Sequence, residues 1–258
     1  MSDRTYRNWS IRLLLTMLAL GAVVPGSAAS ATAAEVSVAV AANFTRPAEA
    51  LGTAFTARTG DRVVFSFGAT GGLYAQISQG APFEVLLAAD AVRPARAVSE
   101  GLGVPGSVFT YAIGKVVLYG PQTDLSDGEA VLRAGAFRHL AIAAPQSAPY
   151  GAAALETLTA LGLIEALTPK LVTGESISQT LQFVDSGNAE LGFVALSQVI
   201  DKPTGQVWRV PEELYQPIAQ DAVLLEAGAD NPVAQAFLDF LRSAEGRGII
   251  ARYGYETD

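Results

Sequence analysis

Four stretches of the 258-residue chain share one arrangement: an apolar run, a short turn of small or hydroxyl residues, then the start of an amphipathic segment. They are Ala41-Ala42-Asn43-Phe44-Thr45, Phe67-Gly68-Ala69-Thr70-Gly71-Gly72, Ala144-Pro145-Gln146-Ser147-Ala148-Pro149-Tyr150-Gly151 and Gly174-Glu175-Ser176-Ile177-Ser178. Each turn would aim free backbone N–H groups along the start of a helix. A helix N-terminus leaves about four N–H groups without intrahelical acceptors and carries roughly half a positive charge, so anions bind there. Four such ends aimed at one point would supply about +2, enough to face a dianion without Lys or Arg. Taken singly, Asn43, Thr70, Ser176 and Ser178 read as ordinary N-caps and the glycines as turn residues. Gly68, Gly71 and Gly72 also permit close backbone approach to a ligand, although the stretch lacks the Lys of a nucleotide-binding P-loop.

Other chemistry is poorly supplied. His139 is the only histidine, and it opens an apolar run, where an edge or partly buried position is expected rather than a catalytic one. There is no Gly-x-Ser-x-Gly turn, His-x-x-x-His pair or acidic metal loop. Asp61, Glu84, Asp90, Asp185 and Glu190 are scattered along the chain and read as solvated faces, caps or lobe contacts rather than as a paired acid and base. The absence of cysteine excludes disulfides, thiolate metal sites and cysteine nucleophiles. We therefore expect a binder and not an enzyme, with no cofactor and no bound metal cation.

The elements that position these turns alternate in type. Apolar runs of five to eight residues interleave with amphipathic stretches of ten to fifteen, the pattern of an α/β protein with parallel sheets (about 10–15 residues per helical stretch). Strands are expected at 36–41, 63–67 and 84–88, with helices at 46–58, 73–78 and 92–101. A β-rich stretch at 108–119 leads to a second group: strands at 139–143 and 191–194 and helices at 151–161 and 178–186. Another extended stretch, 216–226, precedes closing helices at 232–242 and 244–253. Two long extended segments between two α/β groups predict two lobes joined by a double crossover, with a ligand cleft between them.

The first residues run in the order of a secretory signal: Arg4, Arg7 and Arg12, an apolar run Leu13 to Val24, and small residues from Gly26 to Ala34. Cleavage near Ala33 or Ala34 would remove three Arg and one Asp, taking the formal charge from −8 to −10. Such an acidic surface repels nucleic acid and anionic membranes. With no cysteine to carry a lipid, the expected location is the periplasm.

The stretches Val38–Phe44, Phe67–Gly71, Ala81–Val85, Ala148–Ala153 and Glu190–Ala195, with the ending Arg252-Tyr253-Gly254-Tyr255, together resemble the periplasmic molybdate-binding proteins of ABC transporters. The resemblance covers nearly the whole mature chain in order. It implies a two-lobed periplasmic-binding fold of type II, with two mixed or parallel sheets flanked by helices and a double-crossover hinge. It also implies lobe I from residues 35–112 and 220–258 and lobe II from 113–219. The implied ligand is molybdate or tungstate, held as a dehydrated tetrahedral dianion and delivered by a monomer to a membrane permease. By position the site would comprise the backbone of Ala42, Asn43, the hydroxyl and backbone of Thr70, Tyr150, and the N–H of Ile177. Better-known members place serines in the first two turns and a tyrosine where this chain has Ala195, so Asn43, Thr70 and Tyr150 are expected to take over those donors. Two alternatives stand beside it: a carrier of another oxyanion such as sulfate or thiosulfate, and an exported α/β hydrolase or transferase using His139 or a carboxylate pair.

Overall fold

Val36, Val38 and Val40 are fully buried in the first strand and are followed at once by a turn and a helix, so a single stretch of sequence drives a strand into the core and leaves the helix start at its carboxyl end. The computed structural model describes residues 33–257. The expected signal segment therefore lies almost wholly outside the described residues. In chain order the elements are β1 (Glu35–Ala41), α1 (Thr45–Thr59), β2 (Arg62–Gly68), α2 (Thr70–Ser78), β3 (Val85–Leu87), α3 (Val92–Ser99), β4 (Phe109–Gly114), β5 (Val116–Tyr119), α4 (Gly128–Ala134) and β6 (Leu140–Ala143). There follow α5 (Pro149–Ala160), α6 (Ile164–Leu167), β7 (Leu171–Gly174), α7 (Ile177–Asp185), β8 (Leu191–Ala195), α8 (Leu196–Val199), β9 (Val207–Arg209), β10 (Ile218–Leu224), α9 (Pro232–Arg242) and α10 (Ala244–Arg252).

These strands build two five-stranded sheets of the same design, ordered β2-β1-β3-β10-β4 and β7-β6-β8-β5-β9. In the first, β1 pairs parallel with β2 and β3 while β10 runs antiparallel between β3 and β4. In the second, β6 pairs parallel with β7 and β8 while β5 runs antiparallel between β8 and β9. The order reverses at β1 and at β6, and open α/β sheets bind ligands outside the carboxyl ends of strands at such reversals. All four candidate turns sit there, after β1, β2, β6 and β7.

Each sheet is covered on both faces. One face of the first packs Val38, Phe44 and Leu51 against Phe237 and Leu241 of α9, and the other packs Leu86 and Val223 under Leu73 and Ile77 of α2. The second sheet buries Leu118, Ile142 and Phe193 with Ala154 and Leu158 of α5, and on its reverse Val117 and Val194 with Val184 of α7. Local chemistry fixes the helix ends: Gly60 closes α1 at φ 83°, Asn231 caps α9 by accepting from the Val233 N–H, and Ser243 caps α10 by accepting from the Gly246 N–H.

Set against the expected elements, the structure adds detail at several places. Helix α2 begins at Thr70 rather than at 73, because Gly71 and Gly72 continue the helix instead of forming its entry turn. The extended stretch 108–119, within which the change of lobe is expected, comprises two strands in different sheets that meet at Lys115. The chain thus leaves the first sheet after Gly114 and rejoins it at Ile218, each two residues from the expected change of lobe. The short helices α4, α6 and α8 and the short strands β7 and β9 are not among the expected elements: pieces of three to seven residues lack the length over which a period becomes legible.

Candidate functional site

The four turns meet around one small cavity between the sheets. Its eleven lining residues include Ala42, Asn43, Thr70, Tyr150 and Ile177, and none is Asp, Glu, Lys, Arg or His. All five of these candidates are buried. The space totals about 200 Å³. A space of this size between buried residues takes only a small, compact ligand.

Backbone donors dominate its wall. Thr70 is the first residue of α2, Ile177 the first of α7, and Tyr150 the second of α5, behind Pro149, which has no N–H to give. N–H groups in a first helical turn have no acceptor within the helix. Neither α2, α5 nor the 3-10 turn Ala42–Phe44 has a side-chain cap, so the cap interpretation fails for Asn43 and Thr70. It holds for Ser176, whose Oγ accepts from the Gln179 N–H at 3.3 Å and leaves the Ile177 N–H unoccupied. The Thr70 Oγ1 accepts from the Ala89 N–H at 3.0 Å, which leaves the hydroxyl proton to donate. An uncharged, desolvated pocket ringed by such donors favours an anion through local dipoles alone.

Two of the expected side chains are tied into a network behind the cavity. Both Nδ2 protons of Asn43 are used, one on Gln220 Oε1 at 2.8 Å and one on the Tyr255 hydroxyl at 2.9 Å. The Tyr150 hydroxyl accepts from Gln220 Nε2 at 3.2 Å and lies against Gly114, where an added Cβ would stand 2.1 Å from it. Tyr255 Oη is 2.9 Å from both the Asn43 carbonyl and Ser197 Oγ, and Ser197 donates to that carbonyl at 2.8 Å. Tyr111 donates to the Ala88 carbonyl at 2.9 Å. Burial, with the neighbouring phenols, raises Tyr150 well above the ordinary phenol value, and burial also raises Tyr111 and Tyr255, so all three remain neutral donors. Asn43 and Tyr150 can therefore face the cavity through their N–H groups, while their side chains knit the crossover. Gln220, Tyr255 and Ser197 had no assigned role in the sequence; a lone Gln in the apolar run Ile218–Leu224 was the available signal.

The scattered carboxylates have structural tasks. Glu84 accepts from the Ser37 N–H and Asn231, Asp90 from the Arg93 N–H, Asp61 from the Ala34 N–H, and Asp185 from the Tyr119 hydroxyl. Glu190 accepts from the His139 N–H at 2.9 Å. Burial works to raise the Glu190 carboxyl, but that N–H and the Arg138 guanidinium outweigh it and hold the group at about 2. His139 itself is exposed at the start of β6 and does not line the cavity. Ala195, at the end of β8, gives its N–H to Gln198 Oε1 at 3.0 Å, and Gln198 in turn donates to the Ile177 carbonyl at 3.3 Å. Gln198 thus links the end of β8 to the fourth turn.

Comparison with known proteins points the same way. The model of the bacterial extracellular solute-binding protein family matches residues 36–256. The molybdate-binding protein ModA of Rhodobacter capsulatus is 54% identical over 237 residues, covering 92% of this chain and 94% of that one. ModA of Azotobacter vinelandii is 53% identical over 250 residues, covering 95% and 98%. Among solved structures, the Azotobacter vinelandii periplasmic molybdate-binding protein superposes with a TM-score of 0.83 at 39% identity, covering 86% of this chain and 99% of that one. The chain belongs to the bacterial extracellular solute-binding proteins and, within them, to the ModA family.

Proposed function

We propose that this protein works in the periplasm after loss of its leader, binding molybdate or tungstate between lobe I (35–114 and 218–258) and lobe II (115–217) and delivering it as a monomer to an ABC-transporter permease. The observation that carries this reading is the uncharged cavity at the convergence of four helix N-termini. Relatives named for molybdate binding, more than half identical over nearly their whole length, supply the identity of the anion.

The binding chemistry follows from the donors. The N–H groups of Ala42, Asn43, Thr70, Tyr150 and Ile177, with the Thr70 hydroxyl, would surround the four oxygens of a tetrahedral dianion. A hydrogen bond to a charged group contributes roughly 1.5–3 kcal/mol, so a handful of them can replace the hydration shell. Donors fixed by two sheets set a cavity size, and size separates molybdate and tungstate from the smaller sulfate. His139 lies outside the cavity and each singled-out carboxylate is committed to a structural bond, so a carrier is favoured over a hydrolase or transferase.

The test is a competition titration of the mature protein with molybdate, tungstate, sulfate and phosphate by calorimetry. Tight binding of the first two, displaced weakly by the others, is expected; at about 100 times its Kd such a ligand adds roughly 2.7 kcal/mol to stability. Preference for sulfate or phosphate would overturn the assignment of the anion.

A further inference from the structure

The N–H of Gly71 does not face the cavity. It donates across the cleft to the Ser147 carbonyl at 2.9 Å. Gly71 belongs to α2 under the first sheet, and Ser147 to the loop between β6 and α5 of the second. As the second residue of α2, Gly71 has no acceptor within its own helix, so this bond is made only when the lobes meet. Beside it Arg93, the second residue of α3, donates through Nη2 to the Gln146 carbonyl at 2.9 Å, one residue from Ser147. Asp90 fixes that guanidinium, accepting from Arg93 Nη1 at 2.6 Å and from the Arg93 N–H at 2.8 Å. One lobe thus offers two donors to two successive carbonyls of the other, directly beside the loop that ends at Tyr150.

Geometry also dictates glycine at position 71. A Cβ there would stand 2.9 Å from Ser147 Cα and 3.3 Å from Arg93 Nη2. The first neighbour is backbone and cannot swing aside. Gly72, the next residue of the same helix, would place its Cβ in open space. Neither residue has a positive φ, so the helix alone would accept alanine at both.

We propose that Gly71 and Arg93, oriented by Asp90, form a clasp that sets how fully the lobes close and therefore how slowly the bound oxyanion escapes. They are positioning residues: neither lines the cavity. The proposal rests on the oxyanion-carrier reading for its kinetic form, while the clasp itself is a contact between lobes and is testable without a ligand.

The experiment compares Gly71→Ala, Gly72→Ala and Arg93→Ala in the mature protein, using molybdate as the probe. Stopped-flow dissociation should be at least tenfold faster in Gly71→Ala and severalfold faster in Arg93→Ala, with association rates unchanged and Gly72→Ala like wild type. The melting temperature of unliganded Gly71→Ala should equal or exceed that of wild type, which separates blocked closure from misfolding. Exchange of the Gly71 amide proton, followed by NMR with and without molybdate, should be slower in wild type than in Arg93→Ala in at least one of the two states. Wild-type dissociation from Gly71→Ala, or equal amide exchange in both proteins in both states, would overturn the clasp. Failure of wild type to bind molybdate would overturn the carrier reading instead, and the exchange comparison would still decide the clasp.

Discussion

Two polar clusters lie back to back in this molecule and are built on opposite principles. In the cavity the donors are backbone N–H groups at helix starts, unpaired by any side-chain cap at three of the four ends. At the crossover the donors are side chains, Asn43, Gln220, Tyr255, Ser197 and Tyr111, with the Tyr150 hydroxyl accepting from Gln220, and every buried side-chain polar atom among the described residues has a partner. The crossover cluster rigidifies the frame because nothing in it is left wanting. The cavity is the reverse, a set of oriented dipoles whose partner must come from solution. Asn43 and Tyr150 belong to both, with the amide N–H on one side and the side chain on the other. A residue's identity and its contribution to binding can therefore be separated experimentally.

The largest effect should come from the crossover. Asn43→Ala strips Gln220 Oε1 and Tyr255 Oη of a donor in a fully buried setting, and it should cost about 3 kcal/mol of stability in urea unfolding without oxyanion. Molybdate affinity of the folded fraction should fall far less. A variant that kept its stability but lost its affinity would move Asn43 from frame to site.

Thr70→Val acts on affinity and, because the Ala89 N–H loses its acceptor, on stability as well. It removes a hydroxyl whose proton is free to donate into the cavity, and calorimetry should show about 2 kcal/mol of lost affinity. Thr70→Ser, which keeps the hydroxyl, should recover most of it. Tyr255→Phe deletes a hydroxyl from the crossover alone; about 1 kcal/mol of stability should go, with affinity unchanged.

The smallest effect lies far from both clusters. Glu190 is held at about 2, below its ordinary 4.5. A lowered carboxyl contributes stability that is complete above the ordinary value and lost as pH falls through the folded one. Acid titration of unfolding should show this loss between about 4.5 and about 2, and Glu190→Gln should flatten it without touching anion binding.

The contrast also explains what the sequence made legible. Buried strands with β-branched alternation, such as Val36–Val40, and helices with a Pro or Asn start and a Gly stop declared themselves, because a single local rule fixes each. So did the two-sheet plan, from the two long extended stretches. The four turns were visible as helix entries, yet which of their atoms would be free was not. Nothing local says that the Asn43 amide would be taken by Gln220, 177 positions away, or that the Tyr150 hydroxyl would rest on Gly114. Gly71 misled in the same way: its missing side chain reads as room for a ligand, whereas the space is filled by Ser147 of the other lobe. Residues paired across large sequence separations reveal their partners only when the fold is in hand.

The central claim is that a dianion is held by backbone donors in an uncharged cavity. The most direct test is a crystal structure of the molybdate-loaded protein with data collected at the molybdenum absorption edge. The anomalous peak should fall inside the cavity, with oxygens in hydrogen-bond range of the N–H groups of Ala42, Asn43, Thr70, Tyr150 and Ile177 and of the Thr70 hydroxyl. A peak outside this cavity, or oxygens bound mainly by Lys or Arg side chains, would contradict it.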